Sequence, residues 1–344
     1  MAGEVLSFLD LKVGYRDSRN THEVLSRLCG SLPQGRLTSL LGGNGVGKST
    51  LLRTLSAFQA PLGGSIRLMD KPLEDISSSD LSRLLSVVLT YRPTLDRMSV
   101  YDVASLGRSP YTGFFGRLSA RDHEVVDRSL RMVHMEDLKD RMVDALSDGE
   151  RQKVMIAKSL AQDTPLILLD EPTAFLDYPG KVEMMRLLLE LTRGAGKTIL
   201  LSTHDVELAL QMSDAIWLLD SASDPALLSG SPEDLALDGT LGGYFINAGI
   251  LYDPHKGSLG PGRVGGLRPV EIIGDEACAL LLEKGLVRHG MRLREPDEEP
   301  VMRIFVKAES TGRHSFQADV SGETVTSSSF DGLLWQIEDL AEKL

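Results

Sequence analysis

The chain has 344 residues, 42% of them hydrophobic, and a formal net charge of −12. That suffices for one large or two modest domains with full cores, but the acidic balance argues against duplex DNA as a partner, because neutralising phosphates requires a Lys/Arg surface. No apolar run approaches the roughly 18 residues of a membrane span, Met1 to Val5 lack the basic start of a signal peptide, and Cys29 and Cys278 have no metal-ligand spacing, as expected of reduced cytosolic thiols.

From Val5 to Thr38 the chain alternates in short strand-like pieces, and the pattern resumes at Gly64 to Leu68, which predicts an antiparallel layer. Leu37 to Leu41 is apolar and runs into Gly42-Gly43-Asn44-Gly45-Val46-Gly47-Lys48-Ser49-Thr50, after which Leu51 to Leu55 has helical spacing. Strand, G-x-x-x-x-G-K-S/T loop and helix are the setting of a phosphate site. The glycines let successive backbone N–H groups curl around a β-phosphate, Lys48 reaches the β- and γ-phosphates, and the Ser49 hydroxyl can sit on Mg²⁺.

Val87 to Thr90 reads as a core strand. From Tyr101 to Leu146 the pattern is helical, with Val125, Leu130, Val133 and Leu138 at helix-compatible spacings. Ser105 to Asp122 is a turn punctuated by glycine and proline that carries exposed aromatics, with Ser119 predicted to cap a helix through Met132. Pro165 to Leu169 reads as a buried parallel strand. Asp170 at its end can hold Mg²⁺, and Glu171 can polarise a water for in-line attack on a γ-phosphate. Helices over Lys181 to Thr192 and Val206 to Met212 alternate with strands at Thr198 to Leu201 and Ala215 to Leu219, the mark of a mostly parallel sheet.

Lys256 to Gly266 is rich in glycine and reads as a linker. Beyond it come a strand at Val270 to Ile273, a helix from Asp275 to Leu286, strands at Met302 to Lys307, Ser315 to Val320 and Glu323 to Ser327, and a helix from Phe330 to Lys343. The expected organisation is one domain over residues 1–258 and a small α+β domain over 267–344 that is regulatory, dimer-stabilising or simply appended.

The motifs resemble those of the nucleotide-binding subunit of an ATP-binding cassette (ABC) transporter, over roughly Val5 to Gly257. Leu146-Ser147-Asp148-Gly149-Glu150 is similar to the family signature L-S-G-G-Q, Ala174 to Asp177 to its D-loop, and Ser202-Thr203-His204-Asp205 to its switch histidine. The resemblance implies an α/β fold: a P-loop nucleoside triphosphatase core, an antiparallel β subdomain and a helical subdomain at about residues 100–160. It also implies ATP hydrolysis with Mg²⁺ in a head-to-tail homodimer. Tyr15 would stack on adenine, Ser147 and the Gly149 N–H would bind the γ-phosphate held by the opposite subunit, Asp177 would lie at the dimer interface, and His204 would contact the γ-phosphate.

The Ser105 to Asp122 segment resembles that of importers of iron chelates, haem and cobalamin. This implies integral permease subunits as partners, a solute-binding protein acting through them, and a peripheral location on the cytoplasmic face of the plasma (inner) membrane. A soluble ABC ATPase of DNA repair or translation is the rival class, but neither heptads nor paired cysteines interrupt the cassette. A nucleotide-dependent regulator with low turnover is a third reading. It draws on two departures from the family pattern: Thr90 stands where a glutamine usually ligates Mg²⁺, and Asp148 replaces a signature glycine. Two further departures are Glu150, which with Asp148 adds negative charge to the signature, and Gly43, which replaces a common proline.

Overall fold

The computed structural model describes residues 3–16, 20–89, 97–113, 115–246, 250–253, 258–261, 268–274, 276–294, 297–308, 314–320 and 323–341. The chain divides into two compact units, Met1–Tyr244 and Phe245–Leu344.

The first unit is layered. Strands β1 (Glu4–Arg16), β2 (Thr21–Pro33), β4 (Gly63–Leu68) and β5 (Lys71–Pro72) form an antiparallel sheet in the order β2-β1-β4-β5. The segment read as short pieces is therefore two 13-residue strands, whose pairing absorbs several register shifts. A second sheet has the order β10-β9-β3-β8-β7-β6, comprising β3 (Leu37–Gly42), β6 (Leu85–Val88), β7 (Leu166–Asp170), β8 (Thr198–Ser202), β9 (Ala215–Leu219) and β10 (Leu227–Gly230). All its pairings are parallel except β9 with β10.

The central strands β7 and β8 are buried along their whole length because both faces are covered. With a period of two, Ile167 and Leu169 point into one core and Leu166 and Leu168 into the other. The first core packs the sheet against α3 (Val100–Ser105), α4 (Ala120–Met132), α5 (Asp148–Ala161) and α6 (Tyr178–Ala195). The second packs it against α1 (Lys48–Leu55) and the antiparallel sheet, where Phe8 meets Trp217 edge-on at 5.5 Å. Helices α2 (Ser78–Leu84), α7 (Val206–Met212), α8 (Pro232–Leu237) and α9 (Thr240–Ile246) complete the set. Among the described residues five helix starts read S-x-x-D/E, and three of them close as reciprocal capping boxes: Ser99 with Asp102, Ser119 with Asp122, and Ser147 with Glu150.

In the second unit, β11 (Ile250–Asp253) pairs antiparallel with β12 (Ser258–Pro261), so part of the glycine-rich segment read as linker is a hairpin arm. Next come β13 (Arg268–Gly274), α10 (Glu276–Arg288), β14 (Met291–Leu293), β15 (Met302–Ala308), β16 (His314–Val320), β17 (Glu323–Ser327) and α11 (Phe330–Ala341). The sheet order is β14-β13-β15-β16-β17. Its core joins Val270, Ile304, Val306 and Ala318 from the sheet to Leu282 and Leu286 of α10 and Leu333 and Ile337 of α11. Strand β14 escapes the sequence reading because three residues are too few to show an alternation.

Candidate active site

The parallel strands β3, β7 and β8 end side by side, with Leu40 of β3 paired to Ser202 of β8, and Asp170 of β7 paired to the same Ser202. Three chemically distinct segments thereby converge where the strands stop, as ligand sites do in open α/β sheets.

The loop after β3 is built for close approach. Gly45 and Gly47 adopt φ of +75° and +114°, values that a side chain would strain. A Cβ on Gly47 would lie 2.8 Å from Leu25 and Val24, whereas Gly43 and Gly45 face open space. Helix α1 begins at Lys48 with no side-chain cap and no acidic residue in its first turn, so its leading N–H groups and positive end are left to an anion. The buried Lys48 ammonium donates to the carbonyls of Gly42 at 2.8 Å and Gly43 at 3.1 Å. Burial lowers its pKa, while the Glu171 and Asp170 charges oppose that shift. The loop therefore fits a polyphosphate, whose negative charge would add to that of Glu171 and Asp170 in offsetting the desolvation of this lysine.

Ser49 Oγ donates to Asp170 Oδ1 at 3.2 Å, and Ser202 Oγ donates to the same oxygen at 2.7 Å. Two hard oxygen ligands thus sit together at the rim of the loop. Among the described residues no group of three or more His, Cys, Asp and Glu side chains could hold a metal by itself, so this pair suits an ion that takes its other ligands from phosphate and water, as Mg²⁺ does. Thr90, the remaining candidate ligand, lies outside the described residues.

Glu171 sits one residue beyond β7 at φ +51°, a left-handed conformation that a non-glycine residue adopts only when its surroundings dictate it. Its N–H donates to Ser202 Oγ at 3.0 Å, and its carboxylate lies 2.6 Å from His204 Nε2. The histidine loop is braced in turn, because Asp205 accepts from Lys181 Nζ at 2.8 Å and from Thr173 Oγ1 at 3.0 Å. Ser202 is the residue the sequence reading quoted without assigning a role. Its hydroxyl ties Asp170, Glu171 and the histidine strand into one unit, and its place in S-T-H-D directly at a strand end was the available signal.

Tyr15, on β1, is half-exposed, and its hydroxyl shares a hydrogen bond with Thr50 Oγ1 at 2.8 Å, which brings its ring beside the start of α1. Ser147, Asp148, Gly149 and Glu150 lie elsewhere on the surface at the N-terminus of α5. There the Glu150 carboxylate accepts from both the Ser147 N–H and hydroxyl at 2.8 Å, contacts that hold its pKa below the usual carboxylate value. Asp177 caps α6 by accepting from the Gly180 N–H at 3.0 Å, flanked by the exposed Phe175 and Tyr178.

The family model described as ABC transporter matches residues 25–174. An uncharacterised ABC transporter ATP-binding protein of Methanocaldococcus jannaschii is 38% identical over 226 residues, 66% of this chain and 76% of that protein. The iron(3+)-hydroxamate import ATP-binding protein of Bacillus subtilis is 33% identical over 250 residues, 72% of this chain and 91% of that one. This chain belongs to the ATP-binding proteins of ABC transporters. Among solved structures, CbiO1 of Clostridium perfringens, part of the ABC transporter complex CbiONQ, is similar with a TM-score of 0.59 at 30% identity, covering 70% of this chain and 94% of that one. ATP is the nucleotide of this family and its hydrolysis the reaction, and the expected P-loop fold class holds for the first unit.

Proposed function

We propose that this ABC ATPase drives the import of a chelated metal of the ferric siderophore type. The observation that carries the reading is the convergence of Lys48, Ser49, Asp170, Glu171 and His204 at neighbouring strand ends. The cargo class is supported by relatives named for siderophore, achromobactin and ferric enterobactin transport and iron(3+)-hydroxamate import, and by the Ser105 to Asp122 turn.

In this reading the loop from Gly42 to Thr50 grips the phosphates and Tyr15 lies against the adenine. Ser49 and Asp170 are the residues that would hold Mg²⁺, whose charge offsets that of the β- and γ-phosphates. Glu171 accepts a proton from the attacking water, and His204, hydrogen-bonded to it, faces the γ-phosphate. Ser147 and the N-terminus of α5 serve the nucleotide bound by a second copy, arranged head to tail, with Asp177 at the interface. Among the described residues no helix is long and apolar enough to cross a membrane, so the reading assigns translocation to separate permease subunits with this chain docked on their cytoplasmic side. The exposed Phe115 and Tyr111 belong to the docking surface.

The test is reconstitution in lipid vesicles with its permease subunits. ATP-dependent uptake of a ferric hydroxamate or catecholate, lost in Glu171→Gln, is the expected result. Robust hydrolysis with no transport of any ferric chelate would remove the cargo assignment and leave the ATPase intact.

A further inference from the structure

Arg108 is almost wholly buried, yet no step of ATP binding or hydrolysis uses it. It lies in the 3-10 turn Leu106–Tyr111. Its guanidinium donates through Nε to Asp122 Oδ1 at 2.8 Å and through Nη1 to the carbonyl of Ala161 at 2.9 Å. Asp122 stands in the first turn of α4 and Ala161 is the last residue of α5. One planar fork therefore joins the carboxylate in the first turn of α4 to the carbonyl end of α5: the Asp122 charge suits the positive end of α4 and the Arg108 charge suits the negative end of α5.

The turn is seated as tightly as the side chain. A Cβ on Gly107 would fall 2.1 Å from the carbonyl oxygen of Lys158 and 3.0 Å from Ala161 Cβ, so only glycine lets the turn lie against α5. The Tyr111 ring stacks on the guanidinium at 3.9 Å, and its hydroxyl donates to the carbonyl of Gln162 at 3.1 Å. The Gln162 side chain then donates to the carbonyls of Ser82 in α2 and Leu85 at the start of β6, at 2.7 and 2.9 Å. The last turn of α5 is thus clamped from several sides. At the other end the N-cap Ser147 and Asp148 are exposed, and Gly149 to Arg151 are half-buried.

We propose that Arg108 is a positioning residue for α5: it fixes the end of the helix remote from Ser147 and thereby sets where Ser147 is presented. A helix of 14 residues is about 21 Å long, so a small change of tilt at the Ala161 end becomes a displacement at the Ser147 end. The same turn carries Tyr111, and the exposed Phe115 follows closely, so a partner seated there would act on α5 through Arg108. The assignment rests on the reading of Ser147 as a contact to the opposite subunit's nucleotide.

Two variants test it in the full chain. Arg108→Lys keeps the charge but cannot hold Asp122, Ala161 and Tyr111 at once. The double variant Arg108→Met/Asp122→Asn removes both charges, leaving no unpaired buried ion. Both should bind ATP within about 2-fold of the parent while kcat falls about 10-fold, a split expected when only the closed dimer is misaligned. Amide exchange should rise over residues 146–152 and stay unchanged in the loop at 42–50. If kcat instead tracks thermal stability across the two variants, or exchange over 146–152 is unaltered in a folded variant, the assignment falls. Ser147→Arg run in parallel separates the two ideas: normal hydrolysis in that variant would refute the signature reading, while the exchange profile still decides Arg108.

Discussion

His204 Nε2 and Glu171 Oε1 lie 2.6 Å apart, just beyond the ends of two strands that run side by side. The carboxylate can accept from the Nε2–H tautomer of His204. Glu171→Gln preserves an acceptor for His204 and leaves the phosphate loop untouched, yet removes the base. ATP binding should survive while turnover falls by roughly 10²-fold or more. His204→Ala should also reduce turnover with little effect on binding. Equal loss of affinity in both variants, measured by nucleotide titration, would show that this pair builds the binding site rather than the chemistry.

Lys48 should fail differently. Its ammonium is buried and held by two backbone carbonyls of its own loop, so it is oriented before any ligand arrives. Lys48→Ala removes the only side-chain cation within the loop sequence and should weaken ATP binding by at least ~10-fold, with turnover lost in step. A variant that binds normally but does not hydrolyse would place Lys48 in the chemical step alone.

Much of this site was legible because each of its parts is local in sequence. The loop from Gly42 to Ser49, the Asp170-Glu171 pair and the Ser202 to His204 stretch each announce themselves within ten residues, and hydrophobic runs reveal the strands that carry them. What stayed hidden is made by distance. The two-pronged grip of Ser202 spans β7 and β8, and the Arg108 clamp joins residues 108, 122 and 161. The hairpin arm at Ser258–Pro261 was read as linker because glycine and proline dominate a segment whose strand character comes from pairing with Ile250–Asp253. At the signature the resemblance implies an anion-binding helix end, and the fold adds a reciprocal capping box between Ser147 and Glu150.

The pairing at Asp122 predicts behaviour in acid. Hydrogen bonds from the Ser119 side chain and backbone, followed by the Arg108 contact, lower its pKa from 3.8 to about 2 despite burial. Because the folded value lies below the unfolded one, the stabilisation is complete above about pH 4 and is lost as pH falls through about 2. Asp122→Asn should therefore flatten the decline of unfolding free energy between those values. At neutral pH, Asp122→Ala should cost about 3–5 kcal/mol because it strands the Arg108 charge. Denaturant melts across that pH range provide the check, and an unchanged slope in Asp122→Asn would mean that other carboxylates govern acid unfolding.

The second unit has its own core, drawn from both of its long helices and its own sheet. The first unit has both its sheets, its two cores and the proposed catalytic residues before residue 245, and α9 ends at Ile246. A fragment ending at residue 246, after α9 and before the β11–β12 hairpin, should therefore express, fold cooperatively and bind ATP with an affinity close to that of the full chain. Comparison of its kcat and its tendency to dimerise with those of the full chain then assigns the second unit: a change in either makes it regulatory or dimer-stabilising, and no change makes it an appended module. An insoluble or molten fragment would show instead that residues beyond 246 cover apolar surface of the ATPase, and the division into separately folding units would be abandoned.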